Sequence, residues 1–317
     1  MVFFFITIIY SKRIIPGIKI KISKDKSRFK DILSFSGWNL FGSLSGVIKG
    51  QGINVLINFF FSLAINAARS LAYMILSAVK QFAGNFQIAM NPQIVQSYAS
   101  GDRERYLLLS YSSGKLSFFL MWIIVFPLIL LLDPILTFWL GDSIPEKTQI
   151  FLPIVLLTGL VDSLGSSIST PLYATGNIKK YQVIVSLITI MVLPVSYLLY
   201  MKGFPAESSM IVSLILSAIA QVARVLIWCN IIDEKPTIYV EKVIFPASRV
   251  VVISVVLTKL LLLTRICNVG GSFIELIAAA FLIVIVSGAT IFFVGISKME
   301  RKFVFNIFTK NANKTNP

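Results

Sequence analysis

Apolar residues in this chain come in long blocks separated by short charged segments. Eight blocks follow residue 30, at 33–61, 66–97, 107–132, 149–173, 181–201, 207–229, 243–263 and 272–296. A helix needs about 20 apolar residues to cross a bilayer core of about 30 Å, and each block is that long. Backbone groups in lipid must be satisfied within the fold, so the blocks are either helices or strands of a closed barrel. Barrel strands alternate polar and apolar positions. Segments 118–132 and 274–286 do not alternate, so the pattern predicts an all-α, polytopic membrane helix bundle. Pro127, Pro153, Pro171 and Pro194 fall inside blocks. Each removes a helix hydrogen bond and is expected to kink its helix.

Residues 2–10 are apolar but too short to span. Lys12 and Arg13 follow them, whereas a signal peptide carries its positive charge first. The segment reads as the inner end of a transmembrane helix whose beginning is missing. Residues 11–30 form a basic linker with Lys12, Arg13, Lys19, Lys21, Lys24, Lys26, Arg28 and Lys30, expected to stay cytoplasmic. Alternating sides from there puts 20 basic residues on the inner side and three, Lys147, Lys202 and Arg265, on the outer. The inner set includes Arg103, Arg105, Lys179, Lys180, Arg224, Lys235 and Lys242, with the rest in the linker and the 298–317 tail. Such a bias sets topology: a multi-pass protein of the bacterial inner membrane, with linker and C-terminus cytoplasmic.

Composition narrows the function classes. The chain is 56% hydrophobic with a mean hydropathy of +0.84 and a net charge of +15. A basic balance can mark nucleic-acid binding, but this charge lies mostly between spans, so no nucleic-acid partner is expected. Histidine is absent, which removes the commonest general base and metal ligand. Cys229 and Cys267 lack CxxC spacing, so neither a disulfide framework nor a metal is expected. There is no phosphate loop, HExxH or nucleophile elbow; Thr175-Gly176-Asn177 and Gly270-Gly271 read as turns. No catalytic residue and no cofactor is expected. A membrane-embedded glycan polymerase or ligase would have to work from very short loops.

Charge inside the spans is expensive, about 2.5–3.5 kcal/mol at the bilayer centre, so Lys49, Arg69, Lys80, Asp162 and Arg249 need partners, water or a route to the surface. The first two spans are the most polar. At 100° per residue, Arg69, Lys80, Gln87 and Asn91 share one narrow stripe, with Tyr73 and Gly84 beside it. Gln51, Asn54 and Asn58 share a face of the first span, and Lys49 lies off that face. A helix polar on two sides is not expected to face lipid. Two readings are open. One is a wet cavity with a positive wall, suited to an anionic substrate. The other is interhelical glue, with amides bonded across helices and Lys and Arg snorkelling. Lys80, nearest mid-span, is the strongest single cavity candidate. Asp162 either neutralises one of the bases or binds a coupling cation or proton. Arg249 is expected to snorkel.

Several short motifs carry a resemblance. They are Phe35-Ser36-Gly37-Trp38-Asn39-Leu40-Phe41-Gly42, Gly50-Gln51-Gly52-Ile53-Asn54, Asn66-Ala67-Ala68-Arg69, Asn91-Pro92-Gln93-Ile94 and Ser97-Tyr98-Ala99-Ser100-Gly101-Asp102. Trp139-Leu140-Gly141, assigned to an outer loop, and Ala174-Thr175-Gly176, assigned to an inner one, also fit. In order and spacing the chain resembles the polysaccharide-export (O-antigen, Wzx-type) flippase branch of the MOP superfamily, relatives of MATE-type exporters. The resemblance implies a second six-helix lobe at 31–230, two additional helices at 231–297 and a cytoplasmic tail at 298–317. It makes residues 1–10 the remnant of a first lobe: either the chain is truncated, or another chain supplies the missing part. Relatives tend to have a Gly-Pro turn near Phe61-Ser62-Leu63-Ala64-Ile65 and a glycine where Ser70 stands, which implies a looser outer turn here.

The implied activity is flipping of a polyprenyl-diphosphate-linked oligosaccharide, for lipopolysaccharide or capsular polysaccharide, across the cytoplasmic membrane. The implied partners are that lipid-linked substrate and membrane lipids. Arg69 and Lys80, with Lys49 nearby, would attract the diphosphate, and Asn54, Asn58, Gln87 and Asn91 would contact sugar hydroxyls. The alternatives are a MATE-like cation-coupled exporter of small molecules, or an inactive fragment.

Overall fold

A computed structural model describes residues 7, 10, 25–141, 143–263, 273–297 and 300–301. Apart from Thr7 and Tyr10, both helical, residues 1–24 lie outside this set, as does most of the 298–317 tail. So does Cys267. Among the described residues the regular structure is all helical, without a strand. In order they form α1 (Lys26–Phe60), α2 (Leu63–Ala99), α3 (Arg103–Leu130), α4 (Leu132–Leu140), α5 (Thr148–Ala174) and α6 (Lys179–Ile190). There follow α7 (Val192–Met201), α8 (Ser208–Ile232), α9 (Pro236–Tyr239), α10 (Phe245–Leu263) and α11 (Phe273–Thr290). π-helical turns at Val240–Ile244 and Ile291–Gly295 join α9 to α10 and extend α11.

Among the described residues seven helical stretches are long and apolar enough to cross a membrane: a multi-pass α-helical membrane bundle. The 37-residue α2 is not one of the seven. Its length suffices, and its amides and cations lower its hydropathy. Two predicted bounds move. The linker's last residues, from Lys26, are already helical, and the helical stretch that ends in α10 begins at Pro236.

Prolines place the interruptions. Helix α3 ends at Leu130 and α6 at Ile190. Each end lies four residues before a proline, Pro134 and Pro194, and a proline ring denies the carbonyl four residues back its donor. The same rule puts a π-helical turn around Lys242, four residues before Pro246. Pro92, Pro153 and Pro171 sit inside unbroken helices. Trp139 and Leu140, expected in a loop, belong to α4, which stops at Gly141 with φ 55°. The α1–α2 turn is only Phe61-Ser62, capped by Ser62 Oγ accepting from Ile65 N at 3.3 Å. It is tight, contrary to expectation, because the Ser62 cap closes it without Gly-Pro.

The chain divides into two units, 1–37 and 38–317. In the first, Asp25 starts α1, accepting from Ser27 N at 3.0 Å and pairing with Arg28 at 3.0 Å. In the second, α5 is central, packed on α2, α3 and α8, while α6 and α7 pack on α8. The additional helices do not stand apart at residue 231. They join α3 through Trp122 Nε1 donating to Ser254 Oγ at 3.0 Å and through Lys115–Glu300 at 2.6 Å. A buried aromatic knot ties α3, α5, α8 and α9: Trp228 Nε1 donates to Tyr106 Oη at 3.0 Å, and Tyr106 Oη to the Pro171 carbonyl at 2.9 Å. Tyr111 and Tyr239 pack on the same Trp228 ring.

Candidate functional site

The site begins with missing side chains. Helix α1 carries Gly42, Gly46 and Gly50 at four-residue spacing, so they share one face. A Cβ on Gly46 or Gly50 would meet nothing within 4 Å, and one on Gly42 would collide with Gln182. The glycine face therefore touches α6 near Gly42 and opens a gap below it. The gap holds two cavities. The larger, about 400 Å³, lies away from the α1–α2 turn and is lined by Asn39, Ser43, Lys49, Asp162, Ser169, Tyr173, Tyr181, Gln182 and Arg224 among others. The smaller, about 280 Å³, lies nearer that turn and is lined by Lys49, Gly50, Arg69, Tyr73, Ser77, Lys80, Thr158 and Asp162 among others.

Asp162 is the acid lining both cavities. It accepts from Lys80 Nζ at 3.2 Å, and Lys49 and Arg224 also act on it electrostatically. One carboxylate thus faces three cations. Lys49 and Arg224 have neither a salt bridge nor a hydrogen-bond partner among the described residues, and Arg224 Nε is buried without one. The guanidinium of Arg224 lies against Gly165, where any side chain would displace it. Around these charges are neutral oxygens and amides. Gln182 Nε2 donates to Tyr173 Oη at 3.2 Å, and Ser169 Oγ meets Tyr181 Oη at 2.8 Å.

The expected site residues divide. Lys49, Lys80, Arg69 and Asp162 come together at the cavities. Arg69 does not reach for the surface. It is buried, donates to Asn54 Oδ1 and, at 3.4 Å, to the Gly50 carbonyl, and stands 4.6 Å from the Tyr73 ring centroid. Asn54 is thus a clamp on Arg69, held in turn by Gln51 at 3.2 Å. Four residues do not line the cavities, Asn54 being the first of them. Gln87 donates to Ser117 Oγ on α3 at 3.1 Å, so it joins helices. Asn91 is half-buried and Asn58 exposed, and neither lines either cavity. Lys80 and Gln87 share a face, but seven residues separate them by about 10 Å along the axis, and α3 replaces the cavity as the neighbour. Arg249 is exposed, 4.0 Å from the Phe245 ring centroid.

The sequence reading missed Arg224, counted with the inner loops, and the larger cavity's Asn39, Gln182, Tyr173 and Tyr181. A signal existed for Arg224. It lies two turns before the end of α8 and one turn after Gln221, on one face. Chemically, the arrangement offers surplus positive charge, an arginine fork and hydroxyl and amide groups along one half-open polar tract. Among the described residues no group of three or more His, Cys, Asp or Glu is placed to hold a metal. No protein-family model, curated protein or solved structure matches the chain.

Proposed function

We propose that this chain is a membrane lobe that flips or exports a polyprenyl-diphosphate-linked oligosaccharide across the bacterial cytoplasmic membrane, its linker and C-terminal end on the cytoplasmic side. The observation that carries the reading is the pair of unpartnered cations, Lys49 and Arg224, facing a cavity of about 400 Å³ inside the bundle. Both are half-buried and make no salt bridge among the described residues, so an anionic ligand would gain from both charges. A diphosphate suits an arginine fork, and the amides and hydroxyls around it suit sugar hydroxyls. The motif likeness points the same way. In that orientation the larger cavity, away from the α1–α2 turn, lies toward the cytoplasmic leaflet, where such carriers are assembled. A cation exporter would favour acids, yet Asp162 is outnumbered by Lys49, Lys80, Arg69 and Arg224 along the two cavities.

The test is direct binding to the purified chain in nanodiscs. Farnesyl diphosphate should bind at least tenfold more tightly than farnesol, and the double variant Lys49→Gln/Arg224→Gln should lose that preference. Equal binding of the diphosphate and the alcohol would refute the proposal.

A further inference from the structure

We infer that the two cavities are successive stations for one anionic group, and that Lys49 is the cation that hands it from one to the other. The inference rests on the diphosphate reading above. The two cavities share only Gly46, Lys49 and Asp162. Each has its own arginine: Arg224 in the larger, Arg69 in the smaller. Arg69 is clamped by Asn54 and Tyr73, and the Arg224 guanidinium lies against Gly165. Each arginine lines one cavity, whereas Lys49 lines both. Lys49 carries its charge on a flexible four-carbon stem with no hydrogen bond among the described residues.

Gly46 leaves the junction open, since even a Cβ there would meet nothing within 4 Å. Asp162 limits how tightly either station can hold an anion, because it already draws Lys80 to 3.2 Å and stands in both walls. Passage requires sites that bind firmly enough to admit a charge and weakly enough to release it. Both stations draw on one lysine, so a single anion occupies one or the other.

Site-specific protection tests this in the full chain in nanodiscs, with Cys229 and Cys267 replaced by Ala. Ser43→Cys reports on the larger cavity and Ser77→Cys on the smaller. A methanethiosulfonate reagent labels each, and inorganic pyrophosphate is the competing probe. Pyrophosphate should slow labelling at both positions with the same half-protecting concentration. Lys49→Gln should raise that concentration at both by about tenfold or more, the usual scale for losing one charged hydrogen bond. Arg224→Gln should lower the maximal protection mainly at Ser43→Cys, and Arg69→Gln mainly at Ser77→Cys. Should Arg69→Gln fail to fold, Arg69→Lys keeps the charge, loses the fork and gives the same contrast in smaller measure. If Lys49→Gln affects only one position or neither, the cavities are separate and the relay is wrong, while the diphosphate reading stands. If pyrophosphate protects neither position in the parent chain, that reading falls and takes the relay with it.

Discussion

Two ion pairs in this bundle are built in opposite ways. Lys115 and Glu300 meet at 2.6 Å with side chains 7% and 14% exposed. The Glu300 carboxylate also accepts from Ser112 Oγ and Ser297 N, each at 2.7 Å. The pair ties the segment that follows α11 to α3, although Lys242 shares the cavity of about 360 Å³ beside it. Lys80 and Asp162 meet at 3.2 Å with side chains 42% and 32% exposed, and two further cations stand by without partners. The first pair is complete, as a scaffold pair must be when breaking it would strand a charge. The second is short of negative charge beside open space. The number of cations acting on each acid separates them: Lys115 on Glu300, and Lys80, Lys49 and Arg224 on Asp162.

The contrast makes its largest prediction for stability. Lys115→Met should destabilise the protein by about 3–5 kcal/mol, because Glu300 is left buried and unpaired, and adding Glu300→Leu should restore most of the loss. Lys80→Met should cost under about 1 kcal/mol, since that pair is substantially exposed. Denaturant unfolding in detergent decides it; equal losses would erase the distinction.

Next come the glycines. Gly165→Leu should cost about 1–3 kcal/mol by overpacking and weaken pyrophosphate binding by displacing Arg224. Gly46→Ala should stabilise by about 0.5–1 kcal/mol, the ordinary helix gain over glycine, because its site is empty. Thermal melting of both variants checks the signs.

A smaller effect follows from pH. Burial raises the Glu300 carboxyl, but the hydrogen bonds from Lys115, Ser297 and Ser112 outweigh it, and the group titrates below its usual range. A carboxylate depressed on folding contributes stability above its unfolded value, about 4.3, and loses it as pH falls through the folded value. The melting temperature should therefore drop on acidification below that range, and Glu300→Gln should flatten the drop. A Glu300→Gln profile that parallels the parent would remove Glu300 from the acid response.

Much of this was legible beforehand, for definite reasons. Helix length and apolarity are local, so the blocks became helices within a few residues. Proline breaks are local too, although Pro134 was overlooked because it lies beyond the block it ends. Asp162 was readable as the acid among intramembrane bases. What a single helix cannot disclose is its neighbour. The stripe on α2 was real as an angle, yet Gln87 faces Ser117 rather than the cavity. Asn58 shares a helical face with Asn54 and still stands exposed. Arg224 was hidden by the rule that assigns basic residues near span ends to topology. Glu300, in the tail, gave no sign that it would reach Lys115, 185 residues away.

The central claim is that the Lys49–Arg224 cavity lacks an anion and the Lys115–Glu300 site does not. The most direct measurement is the melting shift caused by inorganic pyrophosphate in detergent solution. The parent chain and Lys115→Met/Glu300→Leu should both gain several degrees, and Lys49→Gln/Arg224→Gln should gain none. A shift that survives in Lys49→Gln/Arg224→Gln, or is missing from the parent chain, would contradict the account.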